Sequence, residues 1–314
     1  MKKQITTLLL LFAVCLTING QVTDKEKVLR AQVADTLQGW KTGGDLILNL
    51  AQTSLTNWAS GGENSVAVNG LVNIFANYKK DKTAWDNTLN IGYGLLRQGE
   101  ETGFKKTDDK FDFLSKYGRK VTESLYYAAL INFRTQLTEG KNYTTNPHTK
   151  ISNRFAPAYL TIAVGMDYKP NSYFSAFVAP VTGKMTFVTD ADLSAAGAFG
   201  VTPGEKSKSE FGGYIRVIYS KNDFTSEFMK NIGFTTKIDL FSNYLDKPQN
   251  IDVNWETLLT MKVNKYISMS LNTNLIYDDD INIAKDTDND GLIDENGPRV
   301  QFKEIFGVGF SYKF

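Results

Sequence analysis

An acidic segment near the end of the sequence has residue types and a spacing suited to metal binding. In D-T-D-N-D-G-L-I-D-E, carboxylates alternate up to the glycine of a sharp turn, and a further aspartate follows. Calcium prefers carboxylate and carbonyl oxygens as ligands. Because Gly297 stands where a calcium loop commonly ends on a bidentate glutamate, we expect weak binding that orders the loop, with a solvated acidic turn as the alternative. The predicted ligands are Asp286, Asp288, Asp290, Asp294 and the carbonyl of Leu292.

Groups that could carry catalysis are scarce in this sequence. The chain has one histidine, His148, in a stretch predicted to be a long loop, and no recognisable nucleophile pattern accompanies it. Zinc sites need clusters of histidine or cysteine, and the sequence has none. A membrane-embedded hydrolase acting on lipid or lipopolysaccharide therefore stays an alternative interpretation, and we assign no catalytic residue.

The composition excludes several classes of protein. A formal net charge of +1 at pH 7 gives no global field that would attract nucleic acid, so no nucleic-acid partner is expected. The mean hydropathy of −0.28 is too low for a bundle of membrane helices. After the N-terminal segment, no apolar run approaches the ~18 residues that a transmembrane helix needs.

The N-terminus has the pattern of an export signal. Two lysines precede the apolar stretch 8–18, and Gly20 marks a plausible cleavage point. We predict a signal peptide over residues 1–20 and a short periplasmic segment over residues 21–41. Cys15 is the only cysteine and lies inside the apolar stretch, so the mature chain is expected to lack disulfides and thiolate chemistry.

The last stretch of the chain alternates between apolar and polar or small residues. This period of two, with one aromatic-rich face, predicts a β-strand. Gly309 belongs to the small set, so a serine there is expected to be tolerated. A chain that stops on an aromatic residue resembles the terminal strand of outer-membrane barrels, where Phe314 and Tyr312 would be recognised by the barrel-insertion machinery. The apolar set is Phe306, Val308, Phe310, Tyr312 and Phe314.

The same alternation recurs from Asp45 onwards and predicts about twelve strands, separated by connections that are alternately long and short. Outer-membrane barrels have an even number of antiparallel strands, short periplasmic turns and long outer loops. We therefore predict an all-β fold, an antiparallel transmembrane β-barrel over residues 42–314 in the lipid of the outer membrane. Aromatic residues beside the short turns predict an interfacial girdle: Tyr78, Trp85, Tyr117, Tyr168, Tyr173, Tyr219, Phe224, Tyr266 and Tyr312.

The polar face of the strands carries charges of both signs. Such groups are costly in hydrocarbon but cost little beside a wet lumen, so they are predicted to point inward. About twelve strands is intermediate between a filled eight-stranded barrel and an open porin, so a narrow pore and a plugged lumen are both compatible with the sequence. Pro180 and Gly183 predict a bulge or bend in their strand. The inward charges are Asp86, Arg134, Arg216, Lys237, Asp239 and Glu256.

Two segments carry a family resemblance. They are A-Q-T-S-L-T-N-W-A-S-G-G-E-N-S, at residues 51–65, and A-P-V-T-G-K-M-T-F-V, at Ala179 to Val188. Both are similar to an uncharacterised outer-membrane β-barrel family of Gram-negative bacteria, known as a domain of unknown function. The resemblance implies a barrel and an outer-membrane location, and it brings no activity or catalytic residue.

These patterns lead to one leading function and two alternatives. The leading interpretation is an outer-membrane β-barrel that forms a narrow pore for small solutes or presents its outer loops. The alternatives are the lipid or lipopolysaccharide hydrolase and an adhesion or structural barrel with calcium-ordered loops. Calcium is the one cofactor that the sequence suggests, and the oligomeric state stays open.

Overall fold

The structure, a computed structural model, describes residues 38–56, 62–99, 103–143, 147–264, 266–285 and 294–313. They belong to a compact unit that starts at Gln38. The predicted signal peptide and nearly all of the predicted periplasmic segment lie outside the described residues. Within the described ranges, no helix combines the length and the apolar character needed to cross a membrane.

The described part of the chain is almost entirely β-structure, with sixteen strands. A five-residue helix, α1 (Ala191–Ala195), and a 3₁₀ turn, Ala198–Gly200, lie in one connection. The strands are β1 Gly39–Thr53, β2 Ser65–Lys80, β3 Thr83–Gln98, β4 Lys105–Lys120, β5 Leu125–Thr135, β6 Gly140–Asn142, β7 Thr149–Ser152, β8 Ala158–Tyr168, β9 Phe174–Phe187, β10 Ser207–Lys221, β11 Ile232–Asn243, β12 Ile251–Lys262, β13 Ile267–Tyr277, β14 Asn282–Lys285, β15 Glu295–Pro298 and β16 Gln301–Lys313.

Twelve of these strands close into an antiparallel barrel in the order β1-β16-β13-β12-β11-β10-β9-β8-β5-β4-β3-β2. Closure gives each strand two neighbours, so no strand of the barrel has a free edge along its whole length, as the edge strands of an open sheet do. The predicted barrel and its strand number are confirmed. The first strand begins at Gly39, slightly before the predicted start of the barrel at residue 42.

The connections alternate in length around the ring, as predicted. Residues 81–82, 121–124 and 263–266 form three of the short connections; we call this end of the barrel the turn end and the other the loop end. One connection at the turn end is longer than the sequence predicts. The alternation of apolar residues begins at Phe228, but β11 starts at Ile232. At the loop end, the connections contain the β6–β7 hairpin, α1 and the β14–β15 hairpin.

The connection containing α1 is fixed to its neighbour by polar contacts. The carboxylate of Asp190 caps the helix by accepting hydrogen bonds from the backbone N–H groups of Asp192 and Leu193. It also accepts from Lys150 Nζ at 2.7 Å and from Asn153 Nδ2 at 2.8 Å. Beneath these contacts lies a small apolar cluster of Ala156, Val188, Leu193 and Val201.

The outer surface of the barrel is apolar at every second position. On β16, the exposed side chains include Phe302, Phe306 and Val308, and the residues between Phe306 and Phe310 are glycine and valine. Because successive side chains of a strand point to opposite faces, this exposure assigns the even-numbered residues of β16 to the exterior. The apolar residues that are exposed on other strands include Leu48, Ile74, Ile131, Ile162, Val164, Val178, Met185, Ile215 and Trp255.

Aromatic side chains collect on the exterior near the turn end. The ring of Trp40 lies 5.3 Å from that of Tyr78 and 5.6 Å from that of Trp85, measured between centroids. The rings of Tyr266 and Phe310 stack with centroids 6.0 Å apart. Tyrosine and tryptophan suit a boundary where one end of the side chain is apolar and the other is wet. These contacts agree with the girdle predicted beside the short turns.

The predicted bend at Pro180 is a break in pairing register. β8 pairs with β9 at Val164–Val181 and next at Met166–Val178, so Pro180 is passed over on that side. The ladder between β10 and β9 shifts at the same place, between Gly212 and Tyr214. Proline has no N–H to donate to a ladder, so a bulge is where a central strand accommodates it.

Candidate functional site

The interior of the barrel is the candidate site, and half of it is filled by packed side chains. Leu130 and Phe177 are almost completely buried, 1% and 0% exposed, and they point inward from β5 and β9. With neighbours on β4, β8, β10 and β11 they form an apolar cluster inside the ring: Leu114, Ala128, Leu130, Ala163, Phe177, Ala179, Tyr214 and Phe241.

Ion pairs cross the lumen between opposite walls. Lys110 Nζ on β4 lies 2.6 Å from Glu256 Oε1 on β12, and these strands are six places apart in either direction around the twelve-strand ring. Lys237 Nζ on β11 lies 3.1 Å from Asp112 Oδ2 and 3.2 Å from Glu256 Oε2. Asn132 Nδ2 donates to Asp112 Oδ1 at 2.6 Å. A chain of alternating charges therefore spans the interior from wall to wall.

A second buried group of charges lies on β10 and β11. Arg216 Nη1 lies 3.2 Å from Asp239 Oδ1, which also accepts a hydrogen bond of 2.6 Å from the Tyr214 hydroxyl. Two atoms of this group, Arg216 Nε and Asp239 Oδ2, are buried and have no hydrogen-bond partner. Breaking a buried pair leaves an uncompensated charge, which is far more destabilising than removing both partners.

Further ion pairs fill the interior toward the turn end. Lys116 Nζ lies 2.6 Å from Asp167 Oδ2 and donates to Ser175 Oγ at 3.0 Å. Lys169 pairs with Asp86, three strands away around the ring. All the residues predicted to carry inward charge are thus in the interior, including Arg134, whose guanidinium lies over the ring of Tyr159 at 6.0 Å.

The loop end carries a polar recess rich in carboxylates. Lys184 Nζ lies 2.6 Å from Asp252 Oδ2 and 3.4 Å from Asp278 Oδ2. Lys208 Nζ lies 2.5 Å from Asp280 Oδ2, which ties β10 to the connection after β13. Each lysine thus neutralises acids from separate strands. Among the described residues, no group of histidine, cysteine, aspartate and glutamate has the arrangement of a metal site.

The remaining part of the wall, on β1, β2, β3 and β16, is less tightly filled. Inward positions here carry apolar residues such as Ile47, Leu71 and Ile305 and a row of asparagines, Asn49, Asn69, Asn73 and Asn90. Leu71 and Ile305 are only partly buried, unlike Leu130 in the packed half. The inward side chains on this side of the wall are thus less buried than those of the apolar cluster.

Most of the predicted calcium loop falls outside the described part of the chain. Asp286, Asp288, Asp290 and Leu292 are not described, and Asp294, at its end, is exposed. Calcium binding therefore stays a prediction. His148 is exposed, and its ring meets that of Tyr143 edge-on with centroids 5.2 Å apart. This contact supplies no catalytic role.

Residues 50–141 match the family described as Protein of unknown function (DUF3078). The matched segment runs from β1 to β6 and contains N-W-A-S-G-G-E-N-S. It confirms the predicted resemblance to a family without an assigned function. No curated protein matches the chain.

Two solved outer-membrane structures are distantly similar to this chain. One is an outer membrane channel (COG4313) from Pseudomonas putida F1, 9% identical, with a TM-score of 0.38 over 90% of this chain and 100% of that chain. The other is the translocator domain of the autotransporter NalP from Neisseria meningitidis, 9% identical, with a TM-score of 0.37 over 93% of this chain and 94% of that chain. These likenesses are too distant to transfer a residue or a role.

Proposed function

We propose that this protein is an outer-membrane β-barrel whose interior forms a narrow passage for small solutes. An outer-membrane location is supported by the closed ring, the apolar exterior and the aromatic girdle at the turn end. In hydrocarbon every backbone polar group needs a partner, and a closed barrel is the β-structure that supplies one for each strand. Short connections at one end and long ones at the other support a periplasmic position for the turn end.

The cross-lumen ion pairs are the observation that carries the proposal of a narrow passage. Lys110 and Glu256 meet from opposite walls, so the lumen is occupied at their level and a wide aqueous channel is excluded on that side. Inward residues such as Leu71 and Ile305 are less buried than those of the apolar cluster, which supports a passage along this side of the wall. The positive and negative groups that bound such a passage neutralise one another. The passage is therefore expected to admit small solutes of either charge, without selectivity for one class of ion.

Single-channel conductance in a planar bilayer tests this proposal. We expect the native barrel to pass a small current, and Lys110→Ala with Glu256→Ala to pass a larger one. The paired change removes one of the two bridges across the lumen, and Lys237 keeps Asp112 as its partner, so no charge is left unpaired. The matched control is Lys120→Ala with Glu123→Ala, which removes an ion pair of 2.7 Å at a turn outside the lumen. The control is expected to conduct like the native barrel.

Two outcomes would contradict the proposal. A large, porin-like native current would show that the ion pairs do not close the lumen. Absence of current from both the native barrel and the lumen variant would identify a plugged barrel. The second outcome favours the alternative in which the β6–β7 and β14–β15 hairpins and α1 form a presented surface at the loop end.

A further inference from the structure

The ladder that closes the barrel is incomplete. β1 and β16 pair from Asp45–Lys313 to Asn49–Gly309, and pairing stops there. Both strands continue: β1 stays paired with β2 as far as Thr53–Ser65, and β16 stays paired with β13 as far as Gln301–Ile276. In the same register, residues 50–53 would face residues 305–308, and all eight lie in the described part of the chain. We call this unpaired stretch the seam.

Side-chain exposure along β1 changes where the seam begins. Before it, buried Ile47 and Asn49 alternate with exposed Leu46 and Leu48. From residue 50 to residue 53 all side chains are exposed, including the two that point inward by alternation. Because β16 no longer pairs with β1 here, both faces of β1 are exposed. The barrel wall is therefore open between these two strands toward the loop end.

The seam opens onto the less filled part of the lumen. Inward residues next to it are uncharged: Ile47, Asn49 and Ala51 on β1 pair with Leu71, Asn69 and Ala67 on β2, and β16 contributes Ile305, Gly307 and Gly309. The nearest inward charge on β16, Lys303, is already paired with Asp108 at 2.7 Å. This part of the interior therefore suits an uncharged ligand with apolar and polar parts.

Uncharged polar groups lie where the seam meets the paired ladder. Asn49 is 8% exposed and Ser268 2%, and neither Asn49 Oδ1 nor Ser268 Oγ has a hydrogen-bond partner. Asn49 Nδ2 makes one long contact of 3.4 Å with Ser270 Oγ. Its amide lies over Gly307, where a Cβ would be 2.4 Å from Asn49 Nδ2. Unsatisfied buried polar atoms are costly, so these positions favour a ligand that supplies hydrogen bonds.

We propose that the seam between β1 and β16 is a lateral opening through which an uncharged single-chain amphiphile passes between the lumen and the outer leaflet. Unpaired backbone groups are costly in hydrocarbon, so a stretch of wall without a ladder is suited to opening. The apolar chain would lie along Leu71 and Ile305, and its hydroxyl or amide head would bond Asn49 and Ser268. The lateral opening is a second route into the lumen, separate from the proposed passage for small solutes.

Cysteine pairs across β1 and β16 test the seam in the refolded chain, with Cys15 replaced by serine. Leu50→Cys with Val308→Cys spans the seam, and Leu48→Cys with Phe310→Cys spans a directly paired position. All four native side chains are exposed on the outer face, so the two double variants perturb similar surroundings. The control pair is expected to oxidise to a disulfide, whereas the seam pair should require a longer bis-maleimide linker.

Transit is measured with tritiated monooleoylglycerol in phosphatidylcholine vesicles. A photoreactive benzoylphenylalanine replaces the inward Leu71, and the same residue at Val164, exposed on the outer face, reports contact with membrane lipid. We expect labelling at both positions. Linking the seam cysteines should remove most of the label at position 71 and none at position 164, while the control disulfide should change neither.

The inference is overturned if position 71 is labelled equally with the seam linked, or if the seam cysteines oxidise as readily as the control pair. Conductance measured on the same preparations separates this inference from the proposed passage. Seam-dependent labelling without native current would refute the passage for small solutes and retain the lateral opening. Native current without seam-dependent labelling would refute the lateral opening and retain the passage for small solutes.

Discussion

At Gly309 the last strand approaches the backbone of β1 so closely that no side chain fits. A Cβ there would lie 2.1 Å from the Leu48 carbonyl oxygen and 2.8 Å from Asn49 Cα. The expectation that a serine would be tolerated at this position is therefore wrong. The contact between the two strands needs glycine here, which the position of this residue on the polar face does not indicate.

Replacing Gly309 by alanine is expected to lower the free energy of unfolding by ~1–3 kcal/mol, the usual cost of overpacking. Guanidinium titration of the barrel in lipid vesicles measures it. Gly183→Ala is the matched control, because nothing lies within 4 Å of a Cβ built at that glycine. Equal stabilities of the two variants would contradict the close approach seen at Gly309.

Charge on the outer face should cost more away from the girdle than within it. Val308 is exposed beyond the aromatic residues, whereas Phe310 stacks on Tyr266. We expect Val308→Arg to cost about 2–4 kcal/mol and Phe310→Arg less, because the cost of an outward arginine falls from the midplane toward the interface of such barrels. Unfolding free energies in the same vesicles measure both. A larger loss at Phe310 would contradict the assignment of the girdle to the interface.

At the scale of the elements, the capping of α1 and its attachment to β7 depend on one carboxylate, that of Asp190. Hydrogen bonds from Lys150 and Asn153 lower the pKa of Asp190 to about 2, from an ordinary value of 3.8. A lowered pKa in the folded state means that the stabilisation is complete above about pH 4 and is lost as the pH falls toward 2. The cap of α1 and its tie to β7 should therefore loosen in that window.

Pepsin digestion of the refolded barrel between pH 4 and pH 2 measures this loosening, because the apolar residues of the α1 connection become accessible when the cap is lost. In Asp190→Asn the amide cannot titrate, so cleavage of this variant corrects for the pH dependence of pepsin itself. The native-to-variant ratio of cleavage should rise as the pH falls. A ratio that does not change with pH would show that the Asp190 carboxylate does not hold the connection.

The strands were predictable from sequence because the exterior demands an apolar residue at every second position. Their number, the alternating connections and the inward direction of residues such as Lys237 all follow from that pattern. The small elements of the long connections were missed, since four-residue hairpins such as β14–β15 have too few residues to show a period. The late start of β11 was missed because Phe228 continues the alternation without being paired.

At the scale of the whole molecule, contacts that depend on closure of the ring could not be predicted from the sequence. Alternation predicts that Lys110 and Glu256 point inward, but only the ring order brings β4 opposite β12 and joins them. The seam is hidden as well, because Leu50 continues the outward apolar set of β1 past the last residue pair with β16. The calcium ligands and the recognition of Phe314 and Tyr312 by the insertion machinery stay predictions.

The ladder from Asp45–Lys313 to Asn49–Gly309 also bears on how the chain reaches its final form. Each of the other ladders joins strands that are consecutive in the ring and near in sequence, with only the β6–β7 and β14–β15 hairpins intervening in two of them, so those ladders can form locally and early. The closing ladder joins the two ends, carries the largest loop-closure entropy and offers only five residue pairs in return. Closure should therefore be the last and slowest step of folding. Until it occurs, β1 and β16 are two open edges on which a neighbouring chain could pair, so the same short ladder that leaves the seam also prolongs exposure to aggregation.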